Sequence, residues 1–240
     1  MISAATIKRR LFQLGNRENA KILQWFFKTG PGEYGEGDVF RGIRIPVLRK
    51  QVADYSEAGE PVLSELLHAA IHEERLLALM IMVRQFERGD AAGRARLYRF
   101  YLANTDRINN WDLVDVSAPQ IVGGHLLDKS RRPLYRLARS KSLWERRIAM
   151  LATFSFIRNG EFADALAIAD KLLHDREDLI HKATGWMLRE VGKRDRAVLE
   201  AFLKPRCRVM PRTMLRYAIE RFPEPVRQGY LRAGKTSHRN

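Results

Sequence analysis

The chain has 240 residues, 45% of them hydrophobic, which is enough for a core that folds alone. Its 43 Lys and Arg against 28 Asp and Glu leave a formal net charge of +15, pointing to an acidic partner, either nucleic acid or an anionic membrane surface. A single cysteine, Cys207, excludes an internal disulfide, and six scattered histidines offer no zinc-ligand spacing.

The opening segment MISAATIKRRLFQLG has no apolar run long enough for a secretion signal. No later segment nears the ~20 apolar residues that span a bilayer. The expected setting is therefore the cytoplasm, in a nucleoid-associated protein without a membrane partner. Helical periodicity dominates from residue 5 to about residue 232, and strand alternation is not convincing anywhere. GPGEYG (30–35) formally matches G-x-G-x-x-G, but it follows a helical pattern rather than a strand and reads as a loop. Pro46, Pro61, Pro211 and Pro223 stand where helices should begin. His68 and His72 lie at i and i+4 with no third ligand spaced to complete a metal site, so they are expected on a solvated helix face. The strongest helical runs are 73–89, 143–160 and 179–193. Cys207 lies among cations in KPRCRVMP without a readable histidine partner and is expected to be passive. No linker rich in Gly, Ser or Pro divides the chain, which predicts one helical domain over 1–232 and a disordered basic tail over 233–240.

The helices repeat. Aligning ERLLALMIM, NWDLVDVSA, RRIAMLATF and HKATGWMLR makes Arg75, Trp111, Arg147 and Lys182 equivalent, at spacings of 36, 36 and 35 residues. A two-helix unit of about this length is the pattern of an all-α solenoid of HEAT-like repeats, a curved superhelix with a concave face. One helical turn further on, the next row holds Leu79, Asp115, Leu151 and Trp186. The register thus gathers Trp111, Asp115, Arg147 and Trp186 from distant parts of the chain. Within RINNWDLVDVSAPQ (107–120) it separates two aspartates: Asp115 follows Trp111 by one turn and faces the groove. Asp112, rotated about 100° from Trp111, is a helix-start or structural carboxylate.

The basic clusters KRR (8–10), SRRP (130–133), ERR (145–147), KPRCR (204–208) and RTMLR (212–216) would line the concave face and hold duplex phosphates, which position DNA without reading its sequence. A carboxylate in such a groove is repulsive unless a cation forms beside it. An alkylated purine and the oxocarbenium-like sugar formed when a glycosidic bond breaks are both such cations.

The elements NNWDLVD (109–115), LWERRIA (143–149) and KATGWMLRE (182–190), preceded by GPGEYGEGDVFRGIRIPVLRK (30–50), resemble the AlkD-type alkylpurine DNA glycosylases over roughly residues 5–225. The resemblance implies a HEAT-like repeat fold that holds duplex DNA and excises cationic N3- and N7-alkylpurines without base flipping. Carried over by motif, the lesion site comprises Trp111, Asp115, Arg147 and Trp186, with Arg189 as a further backbone contact. Lys182 and Arg75, in the row of Trp111, join Arg147 as expected DNA contacts. Some members carry a tyrosine on an early helix where QWFFKTG offers Phe26, and Tyr34 is the other residue that would take its place. No metal or cofactor is implied, and the protein is expected to act as a monomer on alkylated double-stranded DNA. Two other readings share the basic helical frame: a non-catalytic solenoid that binds unusual DNA, and a scaffold for acidic peptides.

Overall fold

The computed structural model describes residues 2–233. The tail expected over 233–240 lies outside the described residues except for Ala233, which closes the last helix. Contacts divide the chain into two compact units, Met1–Ile121 and Val122–Asn240.

The first unit contains α1 (Ala4–Leu14), α2 (Arg17–Phe26), α3 (Ile45–Asp54), α4 (Glu60–Leu67), α5 (His72–Arg88), α6 (Ala91–Ala103) and α7 (Trp111–Ala118). Side-chain caps set several of the starts. Asn16 accepts from Asn19 N at 2.9 Å and Asp90 from Gly93 N at 2.7 Å, satisfying amides that a helix leaves open. Pro46 and Pro61 fall in the first turns of α3 and α4, where a missing N–H costs nothing. The predicted run over 73–89 is α5, shifted by one residue at each end. It is the core helix of the unit, buried from His72 through Met82 and again at Phe86, and α1, α3, α4, α6 and α7 all pack on it. Each fully buried Leu or Ile of this helix contributes about 1.5–3 kcal/mol by leaving water.

The second unit contains α8 (Gly124–Leu126), α9 (Arg132–Leu137), α10 (Leu143–Arg158), α11 (Ala163–Lys171), α12 (Asp178–Arg194), α13 (Arg196–Leu203), α14 (Arg212–Ala218) and α15 (Glu224–Ala233). Pro211 caps α14, and Pro223 immediately precedes α15. In both units alternate helices pack together, α3 on α5 on α7 in the first and α10 on α12 on α14 in the second, while the intervening helices cover them. This is the layer pattern of stacked helix pairs, so the fold is all-α and of the helical-repeat kind. Among the described residues the one β feature is an isolated bridge between Val39 and Ile71.

The tightest crossing in the second unit is at Gly185 on α12. A Cβ there would lie 2.5 Å from both Met214 O and Tyr217 Cβ of α14. Since α14 has backbone at the contact, it must shift rather than rotate a side chain. Gly185→Ala is expected to destabilise the protein by about 1–3 kcal/mol despite alanine's better helix propensity, as read by urea unfolding.

Candidate functional site

The N-terminus of α7 is fixed from three directions. Asn110 is extended and its Oδ1 accepts from Trp111 N at 2.8 Å, which starts the helix at the tryptophan. Its Nδ2 donates to Asp38 Oδ2, also at 2.8 Å. His72, on the first turn of α5, donates from Nδ1 to Asp38 Oδ2 at 3.0 Å and from Nε2 to Asp112 Oδ2 at 2.8 Å. Arg75 pairs with the other oxygen of Asp38. Two cations and two carboxylates thus form a buried, charge-balanced cluster joining α5, α7 and the loop before α3.

Burial alone would depress the His72 pKa, but the flanking Asp112 and Asp38 carboxylates outweigh it and raise the imidazole from 6.5 to about 9. Burial likewise opposes ionisation of Asp38, yet His72 and then Arg75 hold its carboxyl down at about 2. The imidazolium is therefore the resident form at neutral pH. The loop around it is pinned as well. Glu73 accepts from the amides of Arg41, Gly42 and Ile43 at 2.9, 2.8 and 3.1 Å, while Glu74 pairs with the Arg41 side chain at 2.7 Å. Gly42 has φ +81°, and a Cβ there would meet Asn16 O at 2.1 Å, so this close approach to the start of α2 requires glycine.

A compact group of rings packs on the cluster, with Phe27 lying 5.2 Å from the His72 imidazole. Phe40 stacks on the His72 imidazole at 4.4 Å, Phe27 on Phe40 at 4.9 Å, and Trp111 on Phe27 at 5.2 Å with planes 13° apart. Phe26 adds an edge contact to Trp111 at 6.1 Å. Beside these rings lies a cavity of about 650 Å³ with an apolar wall that includes Leu23, Phe26 and Trp111, with Asp112 and Asp115 among its polar lining groups. Burial pushes up the Tyr101 phenol behind α7, and the negative charge of Asp115 adds to that shift.

Of the lesion-site residues expected from sequence, Trp111 and Asp115 line this one cavity, as do His72 and Asp112. Arg75 belongs to the same unit but is only 7% exposed, with its guanidinium on Asp38. Phe26 lines the cavity, whereas the Tyr34 hydroxyl donates to Phe26 O at 3.4 Å. In the second unit, Arg147 is 4% exposed and donates to Leu179 O on α12 at 2.6 Å. Lys182 pairs with Asp178 at 2.7 Å, and Arg189 pairs with Glu220. The Trp186 indole donates to Glu190 Oε1 at 3.3 Å, one turn along the same helix, and its ring lies 6.3 Å from Phe154. Lys193 and Arg194 also hold Glu190, at 2.6 and 3.2 Å.

One expectation is corrected. His72 is not on a solvated face: it is 1% exposed and forms the centre of the ion cluster. The available signal was the run His72-Glu73-Glu74-Arg75, four polar residues directly before the apolar run Leu76–Met82, a placement too polar to be buried without partners. Among the described residues no group of three or more His, Cys, Asp or Glu side chains is arranged to hold a metal ion, and no helix is long and apolar enough to cross a membrane.

A family model described as DNA alkylation repair enzyme matches residues 7–222. Among solved structures, the "Predicted DNA alkylation repair enzyme from Enterococcus faecalis" is similar to this chain with a TM-score of 0.66 and 16% identity, over 88% of this chain and 97% of that one. At that identity the likeness concerns the fold. No curated protein matches the sequence. The match of the family model runs from α1 to the segment just before α15 and includes both Trp111–Asp115 and Trp186, and the chain belongs to the DNA alkylation repair enzyme family.

Proposed function

We propose that the protein is a monofunctional DNA glycosylase that hydrolyses the N-glycosidic bond of cationic N3- and N7-alkylpurines in duplex DNA. The observation that carries this reading is the pairing of Asp115 with Trp111 on the wall of one cavity, in a chain of net charge +15 from a DNA alkylation repair family. In the proposed reaction Asp115 stabilises the oxocarbenium-like sugar and orients the attacking water. Trp111 packs against the reacting nucleotide's sugar, where an aromatic face adds about 0.5–2 kcal/mol of cation–π attraction. From the second unit, Trp186 is assigned a sugar and backbone contact, and Arg189 and Lys182 are assigned to phosphates, while the buried Arg147, expected on a phosphate, is assigned to holding α10 on α12. Arg75 is assigned to the ion cluster that supports the loop and α7. An N-alkylated purine departs as a neutral base, so the reaction requires no general acid. No lysine nucleophile is invoked, so the backbone remains intact.

The test is chromatography of the supernatant after incubation with methylated duplex. Release of N7-methylguanine or N3-methyladenine with uncut strands is the expected result, and tight binding without released base would sink the proposal. Affinity for duplex should also fall steeply with salt. Neutralisation of six phosphates gives a log–log slope of about −5 in a fluorescence anisotropy titration.

A further inference from the structure

Helix α2 buries none of its residues, yet Ile22, Trp25 and Phe26, at i, i+3 and i+4, form an apolar strip with exposures of 61, 81 and 53%. Two hollows adjoin the strip. Ile22 and Phe26 line the cavity that holds Trp111 and Asp115, and Trp25 and Phe26 line a second hollow of about 380 Å³ with Lys28 and Thr29. The strip is therefore continuous with the candidate site through Phe26. Cations outnumber acids around it: Arg17, Lys21, Lys28, Arg44 and Arg49 are exposed against Glu18 and Glu33, and Arg44 and Arg49 line the first cavity. Lys28 has φ +52°, a left-handed conformation uncommon outside glycine, which ends α2 directly after the aromatic pair.

An apolar strip among solvated cations complements a partner with flat apolar faces joined by anions. A DNA strand has that chemistry: bases and deoxyriboses for the indole, phosphates for the cations. A second copy of this chain would bring the same positive charge to the contact.

We propose that Trp25 is a DNA-contacting residue that packs against a nucleotide neighbouring the lesion, with Arg44 and Arg49 on the adjoining phosphates. The inference rests on the reading of this face as the DNA side of a repair enzyme. Trp25 lies outside the resemblance-carrying motifs and outside the cavity that contains Asp115, so its role is separable from chemistry.

The experiment uses the full chain labelled with 5-fluorotryptophan and an undamaged duplex. The Trp25 resonance, assigned by its loss in Trp25→Phe, should shift on titration. Trp25→Ala should raise the duplex Kd roughly tenfold, the size of one lost aromatic contact, and Trp25→Phe should restore most of the affinity. With methylated duplex below saturation, Trp25→Ala should slow base release by the same factor. The side chain is exposed, so a folded variant is expected, and a thermal melt checks it. A Trp25 resonance that stays in place through saturation, or Trp25→Ala binding at wild-type affinity, overturns the proposal. Sedimentation of the wild type as a dimer that Trp25→Ala converts to monomer overturns it in favour of a second copy. If the wild type binds duplex through Trp25 yet releases no base, the glycosylase reading fails while this inference stands.

Discussion

Asp115→Asn should release N7-methylguanine and N3-methyladenine from methylated duplex about a thousandfold more slowly than the wild type. The substitution is nearly isosteric and removes only charge. At about 4 Å and an effective dielectric near 20, a carboxylate stabilises a unit cation by roughly 4 kcal/mol, which is about three decades of rate when the cation exists only in the transition state. Duplex affinity should stay the same or rise, because one repulsive charge disappears from a surface that meets phosphates. That divergence identifies the role: a collapsed cavity would lower rate and affinity together, while a lost transition-state contact lowers rate alone. Equal single-turnover rates for the two proteins would remove Asp115 from the chemistry.

The second large effect concerns stability. His72→Ala leaves Asp38 and Asp112 facing the space where a buried imidazolium stood, and a broken buried ion pair typically destabilises by about 3–5 kcal/mol. The pH dependence has a definite sign. The folded His72 pKa, about 9, lies above its ordinary 6.5, so its stabilisation is complete below pH 6.5 and is lost as the pH rises through 9. A shift of that size corresponds to about 3 kcal/mol. Asp38, held near 2 against 3.8, acts in the opposite sense: its contribution is present above 3.8 and lost as the pH falls through 2. These are two views of one ion pair and do not add. Urea unfolding at pH 6 and pH 9.5 should show the wild type losing stability on the alkaline side and His72→Ala changing far less. Parallel losses in both proteins would assign the alkaline limb to other groups.

Helical periodicity was sufficient to place the long buried helices. The run expected over 143–160 is α10 (Leu143–Arg158), and that over 179–193 is α12 (Asp178–Arg194). Helical geometry also marked Asp112 as a structural carboxylate, and it pairs with His72 at the start of α7, although both Asp112 and Asp115 line the cavity. That the run from His72 to Arg75 needed partners was legible, but which residues supply them was not, for a physical reason. His72 finds Asp38 and Asp112 at separations of 34 and 40 residues, and Asp38 lies in a glycine-rich loop where no period predicts a side chain's direction. The apolar positions of α2 posed the opposite difficulty. Spacing of i, i+3, i+4 assigns residues to one face but does not say whether protein or solvent covers it, and here Trp25 is left in the open.

The packed rings behind Trp111 bear on the entropy of the proposed reaction. A tryptophan free to swing over the cavity would lose its rotational freedom each time a sugar cation formed against it. Here Phe27, Phe40 and the His72 imidazolium have already restricted that freedom, with the loop beneath them anchored by Glu73. The ordering is completed once, when the first unit folds. In the proposed reaction that part of the activation entropy is met before the bond breaks.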